Sequence, residues 1–196
     1  MPNAKCRSFK MRKPDQITVD RALLLYLLKL TEPHGLMSDV KLQSLAFLCE
    51  LQMFNNGIRG FHFEFFRYAY GVFSKDLDND LVSLRKKLRI ENFSPSDTAE
   101  KAITLLLEAA EETETGQKLM DITRAVVEKY GPQDNTQIMS SVEAVELSTP
   151  DDPAFKLAVR DISFHTTLLV PHRIEVSDEF ALTSRTAASL NTAMGY

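Results

Sequence analysis

Residues 61–77 read FHFEFFRYAYGVFSKDL, and the first thirteen of them hold seven of the 17 phenylalanines and tyrosines of the chain. Phe61, Phe63 and Phe65 recur at every second position, which is typical of a strand with one buried face. The other rings cannot all lie on that face, because successive side chains of a strand point in opposite directions. The stretch therefore predicts a core face and a second set of rings, which belong to Phe66, Tyr68, Tyr70 and Phe73.

Three helices surround this stretch in the prediction. Apolar residues recur at helical spacing from Thr18 to Leu30. A second helix opens at Ser38 and carries apolar residues on two sides, so we expect it to be buried on two sides and to be central. A third helix opens at Ser74, whose hydroxyl suits a helix N-cap, and continues to Leu88.

The rest of the sequence predicts four more helices and a tail. Apolar residues at helical spacing place these helices at about 97–112, 117–130, 136–146 and 153–169. After them, from Pro171, we expect an extended piece, HRIEV, and then a short alanine-rich helix that begins near residue 177.

These patterns together indicate a mostly α fold with a small β element (α+β). We expect a compact helical domain with an aromatic strand or hairpin, partly similar to a winged helix. The predicted organisation is a flexible basic arm, a single helical domain with a potential internal boundary near 91–98, and a C-terminal tail with a short helix. The respective ranges are 1–16, 17–170 and 171–196.

Composition excludes several broad classes of protein. Apolar residues make up 44% and charged residues 26% of the chain, which is ordinary for a globular domain. No apolar run approaches the roughly 18 residues of a membrane span, and the N-terminus lacks the apolar segment of a secretion signal. Cys49 lies in an apolar helical pattern, which suits a buried thiol better than a disulfide. We therefore expect a cytoplasmic protein without a membrane partner.

Charge is unevenly distributed along the chain. Residues 1–96 carry 15 Lys and Arg against 10 Asp and Glu, whereas residues 97–152 carry 4 against 13. Such asymmetry is found where a basic face meets an acidic partner or a nucleic acid. It is also found when a fold simply has two oppositely charged faces in water.

The sequence contains few of the residue patterns that catalysis requires. The chain has no glycine-rich phosphate loop, no H-E-x-x-H, no C-x-x-C and no G-x-S-x-G. His62 and Glu64 share one face of the predicted strand, which suits acid–base work or one edge of a metal site, but a polar pair on a solvated face is the simpler interpretation. Cys49 is a poor nucleophile because burial raises the pKa of a thiol. We predict no catalytic residues, no metal site, no cofactor and no enzymatic activity.

Two basic groups favour nucleic-acid binding. One lies in the arm and the other at the end of the third predicted helix, and a helical domain with a strand wing would use such groups to contact phosphates. Two observations oppose this interpretation: the third helix opens with the acidic sequence SKDLDND, and cations near a helix C-terminus are stabilised by the helix dipole in any protein. The candidate nucleic-acid-binding residues are Lys10, Arg12, Lys13, Arg85, Lys86, Lys87 and Arg89.

The surplus rings favour a protein partner. Those that do not fit the core face are expected near the surface beside Arg67, and aromatic residues and arginine are enriched in protein interfaces. The alternative is a second core layer against residues 99–130. The predicted partner-binding surface consists of Phe66, Arg67, Tyr68, Tyr70 and Phe73.

Three segments follow one another along the chain: KLQSLAFL at 41–48, FHFEFFRYAYGVFSKDLDNDLVSL at 61–84 and TETG at 113–116. In this order they resemble the Panacea-domain, or SocA-like, antitoxin family and its uncharacterised relatives. The resemblance covers roughly residues 20–130. It implies a largely helical domain that binds and neutralises a toxin encoded beside it in a bacterium or phage, and it implies no cofactor.

Some positions depart from the family pattern. Ser44 stands where the family has lysine, Phe47 replaces a tyrosine, and Val72 stands where proline usually follows glycine. The stretch between Leu88 and Thr113 also predicts a longer helix than relatives usually have.

The expected function is therefore that of a non-enzymatic protein-binding module, an antitoxin-like protein that neutralises a partner protein. The alternative is a DNA-binding transcriptional regulator of the winged-helix type. The expected partner is a toxin encoded nearby, and DNA is the alternative partner. A homodimer of this chain is a further alternative.

Overall fold

The computed structural model describes residues 11–35, 38–149 and 152–196. Within these residues the chain forms seven α-helices and four small sheets. The helices are α1 (Pro14–Thr31), α2 (Asp39–Asn55), α3 (Lys75–Lys86), α4 (Glu100–Glu111), α5 (Glu114–Tyr130), α6 (Asn135–Glu143) and α7 (Ser184–Met194).

The sheets have two or three strands each. Strand β2 is antiparallel to both of its neighbours in the three-stranded order β3-β2-β8, while β1 and β9 form a parallel pair. The other two pairs, β4 with β5 and β6 with β7, are antiparallel. The strands are β1 (Ile58–Arg59), β2 (Phe65–Tyr68), β3 (Gly71–Phe73), β4 (Ile90–Glu91), β5 (Ser94–Pro95), β6 (Glu146–Thr149), β7 (Asp152–Ala158), β8 (Thr167–Leu169) and β9 (Asp178–Glu179). The predicted fold class, mostly α with a small β element, is confirmed.

Helix α2 is the central element, as predicted. All ten residues from 41 to 50 are buried, because α1, α5, α6 and β3 pack around this helix. The rings of Phe61, Phe63 and Phe65 are fully buried, and the Phe65 ring meets that of Phe47 in α2 edge to face at 5.4 Å. These three rings form the predicted core face.

The other predicted helices before residue 145 are confirmed, with shifted ends. Helix α1 begins four residues before Thr18, at Pro14, a residue whose missing N–H costs nothing in the first turn. The Ser74 hydroxyl caps α3 by accepting from the Leu77 N–H. Gly116 of the TETG segment lies where α4 meets α5, and a Cβ there would come within 2.4 Å of the Ala110 carbonyl oxygen.

The predicted helix at 153–169 is wrong. This part of the chain forms β7, a short 3-10 turn and β8, and His165 adopts a φ of 65°, which an α-helix does not accept. The apolar residues match a helical period, but short apolar runs do not distinguish helix from strand. Phe155 and Leu157 remain 59% and 40% exposed, so no buried helical face forms here.

The last residues of the predicted arm and the tail are more firmly held than the sequence suggests. Residues 1–10 of the predicted flexible arm lie outside the described residues, while Arg12 forms ion pairs with three carboxylates of the fold. The tail helix begins at Ser184 rather than near residue 177, because residues 178 and 179 form β9 alongside β1. Leu190 and Met194 of that helix are fully buried.

Candidate functional site

The hairpin β2–β3 presents the predicted aromatic residues. Phe66 lies opposite Phe73 and Tyr68 lies opposite Gly71 across the two strands. Tyr68 is 42% exposed and Tyr70, at the turn, is 63% exposed, whereas Phe66 and Phe73 are half-buried. The structure thus brings four of the five predicted partner-binding residues to one hairpin with their rings partly in solvent.

Further rings extend this patch. The Tyr68 ring lies 5.4 Å from the Phe73 ring and 6.1 Å from the imidazole of His165, which precedes β8. Phe164, the neighbouring residue, is 58% exposed. We call the patch formed by Tyr68, Tyr70 and Phe73 the aromatic surface. Sequence reasoning missed the exposed Phe164 because it placed this residue inside a helix.

Arg67 differs from its prediction, because its side chain is only 5% exposed. Its Nη1 donates to the carbonyl oxygens of Tyr68 at 2.6 Å and Gly71 at 2.9 Å, and its Nη2 donates to Glu143 Oε1 at 2.9 Å. The guanidinium also lies 5.1 Å from the Phe164 ring centre. Arg67 therefore fixes the turn and supports the aromatic surface from beneath instead of facing a partner.

A groove opens beside the aromatic surface. Its volume is about 810 Å³, within the range of ligand-binding clefts. Residues 146–149 of β6 border one side, residues 165–170 around β8 border another, and Leu51 and Phe54 at the end of α2 contribute apolar side chains. His165 belongs to this border and also contacts Tyr68, so the groove and the aromatic surface are continuous.

The predicted nucleic-acid-binding residues do not form one surface. Arg89 donates to the Ala193 carbonyl oxygen at 2.8 Å and to Thr98 Oγ1 at 2.9 Å, so it fastens α7 to the end of α3. Arg85 lies over the Phe93 ring at 4.9 Å. Lys86 and Lys87 are exposed. The Lys87 ammonium lies 5.2 Å from the centre of the Tyr196 ring, so these two lysines are a small phosphate-binding surface.

Arg12, from the other basic group, lies beside the first half of α3, because it forms ion pairs with Asp76 and Asp80. Arg12 contacts Asp20 and Asp80 at 2.7 Å each, and its side chain is only 10% exposed. Lys13 is exposed, and Lys10 lies outside the described residues. Because Arg12 is neutralised by carboxylates, it is not available to phosphate.

A buried charge cluster around His62 was not predicted as such. Nδ1 of His62 lies 2.9 Å from Asp20 Oδ1, and Nε2 lies 3.1 Å from Glu179 Oε1. Burial alone lowers the pKa of His62, but the hydrogen bonds and charges of Asp20 and Glu179 outweigh burial, so the pKa is raised. Arg59 adds an ion pair to Glu179 at 2.8 Å. The cluster joins α1, the aromatic segment and the C-terminal segment.

The same cluster borders a small cavity of about 200 Å³, which also includes Glu64 and His172. The structure brings His62 and Glu64 to one cavity, but not on a strand face, because β2 begins only at Phe65 and His62 is buried. Both ring nitrogens of His62 are already engaged by carboxylates, so neither is free to take a proton from a substrate. The geometry suits a structural hydrogen-bond link between segments better than acid–base catalysis.

Two other titratable groups lie too deep to act on a ligand. Cys49 is fully buried, and burial raises the pKa of its thiol. Burial, followed by the charge of Asp20, raises the pKa of Glu50 well above its ordinary value. No other side chain of the described residues hydrogen-bonds to the carboxyl oxygens of Glu50.

The described residues contain neither a cluster of metal ligands nor a membrane-spanning helix. No three His, Cys, Asp or Glu side chains in residues 11–35, 38–149 and 152–196 are grouped closely enough to hold a metal ion. No helix in the same residues combines the length and apolar character that a membrane span requires.

Comparison of the chain with protein-family models, with curated proteins and with solved structures gave no match. The resemblance to the Panacea-domain family therefore stays a prediction from the residues quoted above.

Proposed function

We propose that this chain is a non-enzymatic protein-binding module of the antitoxin type, whose partner contacts the aromatic surface. The observation that carries the proposal is the exposure of Tyr68 and Tyr70 on a hairpin whose turn is fixed by Arg67. Tyrosines with rigid support are frequent hot spots of protein interfaces, because they bury a large area at low cost in conformational entropy.

The family resemblance supports a toxin as the partner. It suggests a protein encoded next to this chain in a bacterium or phage, with both proteins in the cytoplasm. The uneven charge gives a second reason to expect a protein partner, since residues 97–152 carry a net charge of −9 and would attract a basic partner.

The test is rescue of growth when the neighbouring toxin is co-expressed with variants of this chain. We expect Tyr70→Ala and Tyr68→Ala each to weaken toxin binding at least tenfold and to abolish or sharply reduce rescue, as truncation of an interface hot spot does. Titration calorimetry with the purified toxin gives the change in affinity.

Tyr196→Ala is a matched control, since Tyr196 is also a tyrosine and is 40% exposed, but it lies against Ser83 of α3. This variant should rescue growth as well as the unchanged protein does. Full rescue by both hairpin variants would remove the aromatic surface from consideration.

DNA binding is the second candidate, and it rests on the exposed Lys86 and Lys87 at the end of α3. It is less well supported, because Arg12 and Arg89 are committed to contacts within the fold. A regulator should retard its own promoter DNA at about 50 mM salt and release it as salt rises. No retardation at that salt concentration would rule this function out.

A further inference from the structure

The groove beside the aromatic surface runs along strand edges rather than over a strand face. Every residue of 146–149 and every residue of 165–170 borders it. A cavity over one face of a strand is bordered by every second residue, because alternate side chains point to opposite faces. Uninterrupted runs on both sides therefore place the edges of β6 and β8 on the groove.

Both edges are open within the described residues. Strand β8 pairs only with β2, and β6 pairs only with β7, so each has one side without a neighbouring strand. Natural sheets usually protect such edges with charged residues, proline or a covering element. The segment 165–170 reads HTTLLV and contains no lysine, arginine, aspartate, glutamate or proline. Of the usual protections against strand addition, the edge of β8 therefore has only its short length of three residues.

The side chains of the groove favour an apolar, extended occupant. Leu51, Phe54, Leu147, Leu168 and Ile174 are half-buried and border it. Charge is found on Glu146 and Arg173, which are both exposed, and the two side chains balance each other. A partner segment with apolar side chains at alternate positions and little net charge fits this arrangement.

We propose that the groove between β6 and β8 binds an extended segment of the partner protein as a β-strand added to the edge of β8. The proposal rests on the proposed protein-binding function and states how the partner is held. The segment has three to five residues, since the extended residues 167–170 span about 13 Å. Backbone hydrogen bonds supply affinity, and apolar side chains at alternate positions supply specificity. His165 continues the contact onto Tyr68, so one partner covers both features.

A peptide probe tests strand addition without knowledge of the toxin. Random 12-residue linear peptides displayed on phage are selected against the intact protein, and the selected peptide is synthesised. Two further versions carry N-methyl groups on alternate residues, one on the odd and one on the even positions. An added strand directs only alternate N–H groups towards the neighbouring strand. Methylation of those N–H groups in the central residues of the peptide should therefore weaken binding at least tenfold relative to methylation of the other set.

The location is tested with Phe54→Ala, which removes an apolar group that borders the groove, and with Val82→Ala as a control at an exposed apolar residue of α3. Peptide affinity should fall at least tenfold in the first variant and stay unchanged in the second. Circular dichroism and urea unfolding of both variants confirm that each remains folded. If Phe54→Ala does not fold, Thr167→Lys, which charges the exposed edge of β8, takes its place.

Other outcomes overturn the proposal. Equal binding of both methylated versions indicates side-chain docking, and equal loss indicates a helical or turned ligand. A selection that gives no peptide dependent on the groove excludes strand addition. If the protein dimerises in sedimentation experiments and the peptide abolishes the dimer, the groove binds a second copy of this chain instead.

The peptide assay and the growth assay separate the two proposals. If peptides bind as added strands but neither tyrosine variant affects rescue, the groove is confirmed and the aromatic surface fails as the toxin site. If the tyrosine variants lose rescue and no peptide uses the groove, strand addition fails and the protein-binding function stands.

Discussion

Arg67 shows how a charged residue within an aromatic stretch serves a surface that it does not reach. Its guanidinium donates three hydrogen bonds, two to carbonyl oxygens of its own hairpin and one to Glu143 of α6. A lysine has no planar fork and cannot satisfy these acceptors together. The sequence correctly indicated that arginine and rings belong together here, but it did not show that the arginine lies underneath.

Arg67→Met should destabilise the fold and loosen the hairpin. The change keeps the apolar stem but leaves the turn carbonyls without donors, so we expect a loss of about 2 kcal/mol in the free energy of unfolding. Urea unfolding measures this loss, and Glu143→Gln, which keeps an acceptor for Nη2, should lose less than half as much. If Arg67→Met is as stable as the unchanged protein, the assigned clamp is wrong.

His62 gives the fold a dependence on pH. Its pKa in the folded protein is raised above the ordinary 6.5, so the protonated ring adds stability that is complete below pH 6.5 and is lost as pH rises through the folded pKa. Each unit of that difference corresponds to about 1.4 kcal/mol. The groups that face the ring are the carboxylates of Asp20 and Glu179, with Arg12 and Arg59 beyond them, and the buried Glu50, whose pKa is raised, also lies close to Asp20.

The measurement is urea unfolding at pH values from 5.5 to 9 for the unchanged protein and for His62→Gln. Stability of the unchanged protein should fall over the upper part of this range, and the difference between the two proteins should shrink as pH rises. Glu179 does not interfere, since burial raises its pKa but hydrogen bonds from Gln16, His62 and Arg59 lower it further, to a net decrease. A difference that stays constant with pH would show that His62 is not protonated in the fold.

At the scale of elements, local sequence signals correctly predicted the features of the helices that depend on nearby residues. The start of α3 was readable because a cap and an apolar stripe both lie within a few residues of Ser74. The structure adds a contact that no local pattern shows: the amide of Gln43 in α2 accepts from the Ser74 N–H at 2.8 Å and donates to its carbonyl oxygen at 3.2 Å. This pair fixes the angle at which the chain leaves the hairpin for α3.

Strand pairing was the part that local signals could not predict. The segment 153–169 was predicted as a helix because Phe155, Ala158, Ile162 and Leu169 match a helical spacing. Its structure depends on partners elsewhere in the chain, β6 for its first half and β2 for β8. The aromatic surface was therefore predictable in large part, since it follows from one stretch. The groove was not, because β8 lay inside a segment that was predicted as a helix, and most of β6 lay in the predicted separator between two helices.

The whole molecule is closed by its C-terminal segment, which returns to the beginning of the fold. Strand β9 pairs with β1, Glu179 reaches His62 and Arg59, and α7 packs against α1 and α4. Asp20, His62 and Glu179 are separated by 42 and 117 residues, so sequence spacing gives no sign of their contact. The tail is thus part of the same core that the aromatic stretch begins.

Leu190→Ala tests whether the tail belongs to that core. Leu190 is fully buried, and removal of a buried leucine side chain costs about 3 kcal/mol when the site cannot collapse. Arg185→Ala, an exposed position of the same helix, should cost less than about 0.5 kcal/mol and is the matched control. Unfolding followed by circular dichroism and by tyrosine fluorescence should give one coincident transition in both variants.

If α7 were only appended, Leu190→Ala would split off an early transition and leave the main transition in place. A single transition at lower urea shows instead that contacts made by the last residues stabilise the helices that carry the hairpin. In that case the aromatic surface depends on the whole chain, and a fragment ending near residue 170 should bind the partner poorly even though it contains every residue of the surface.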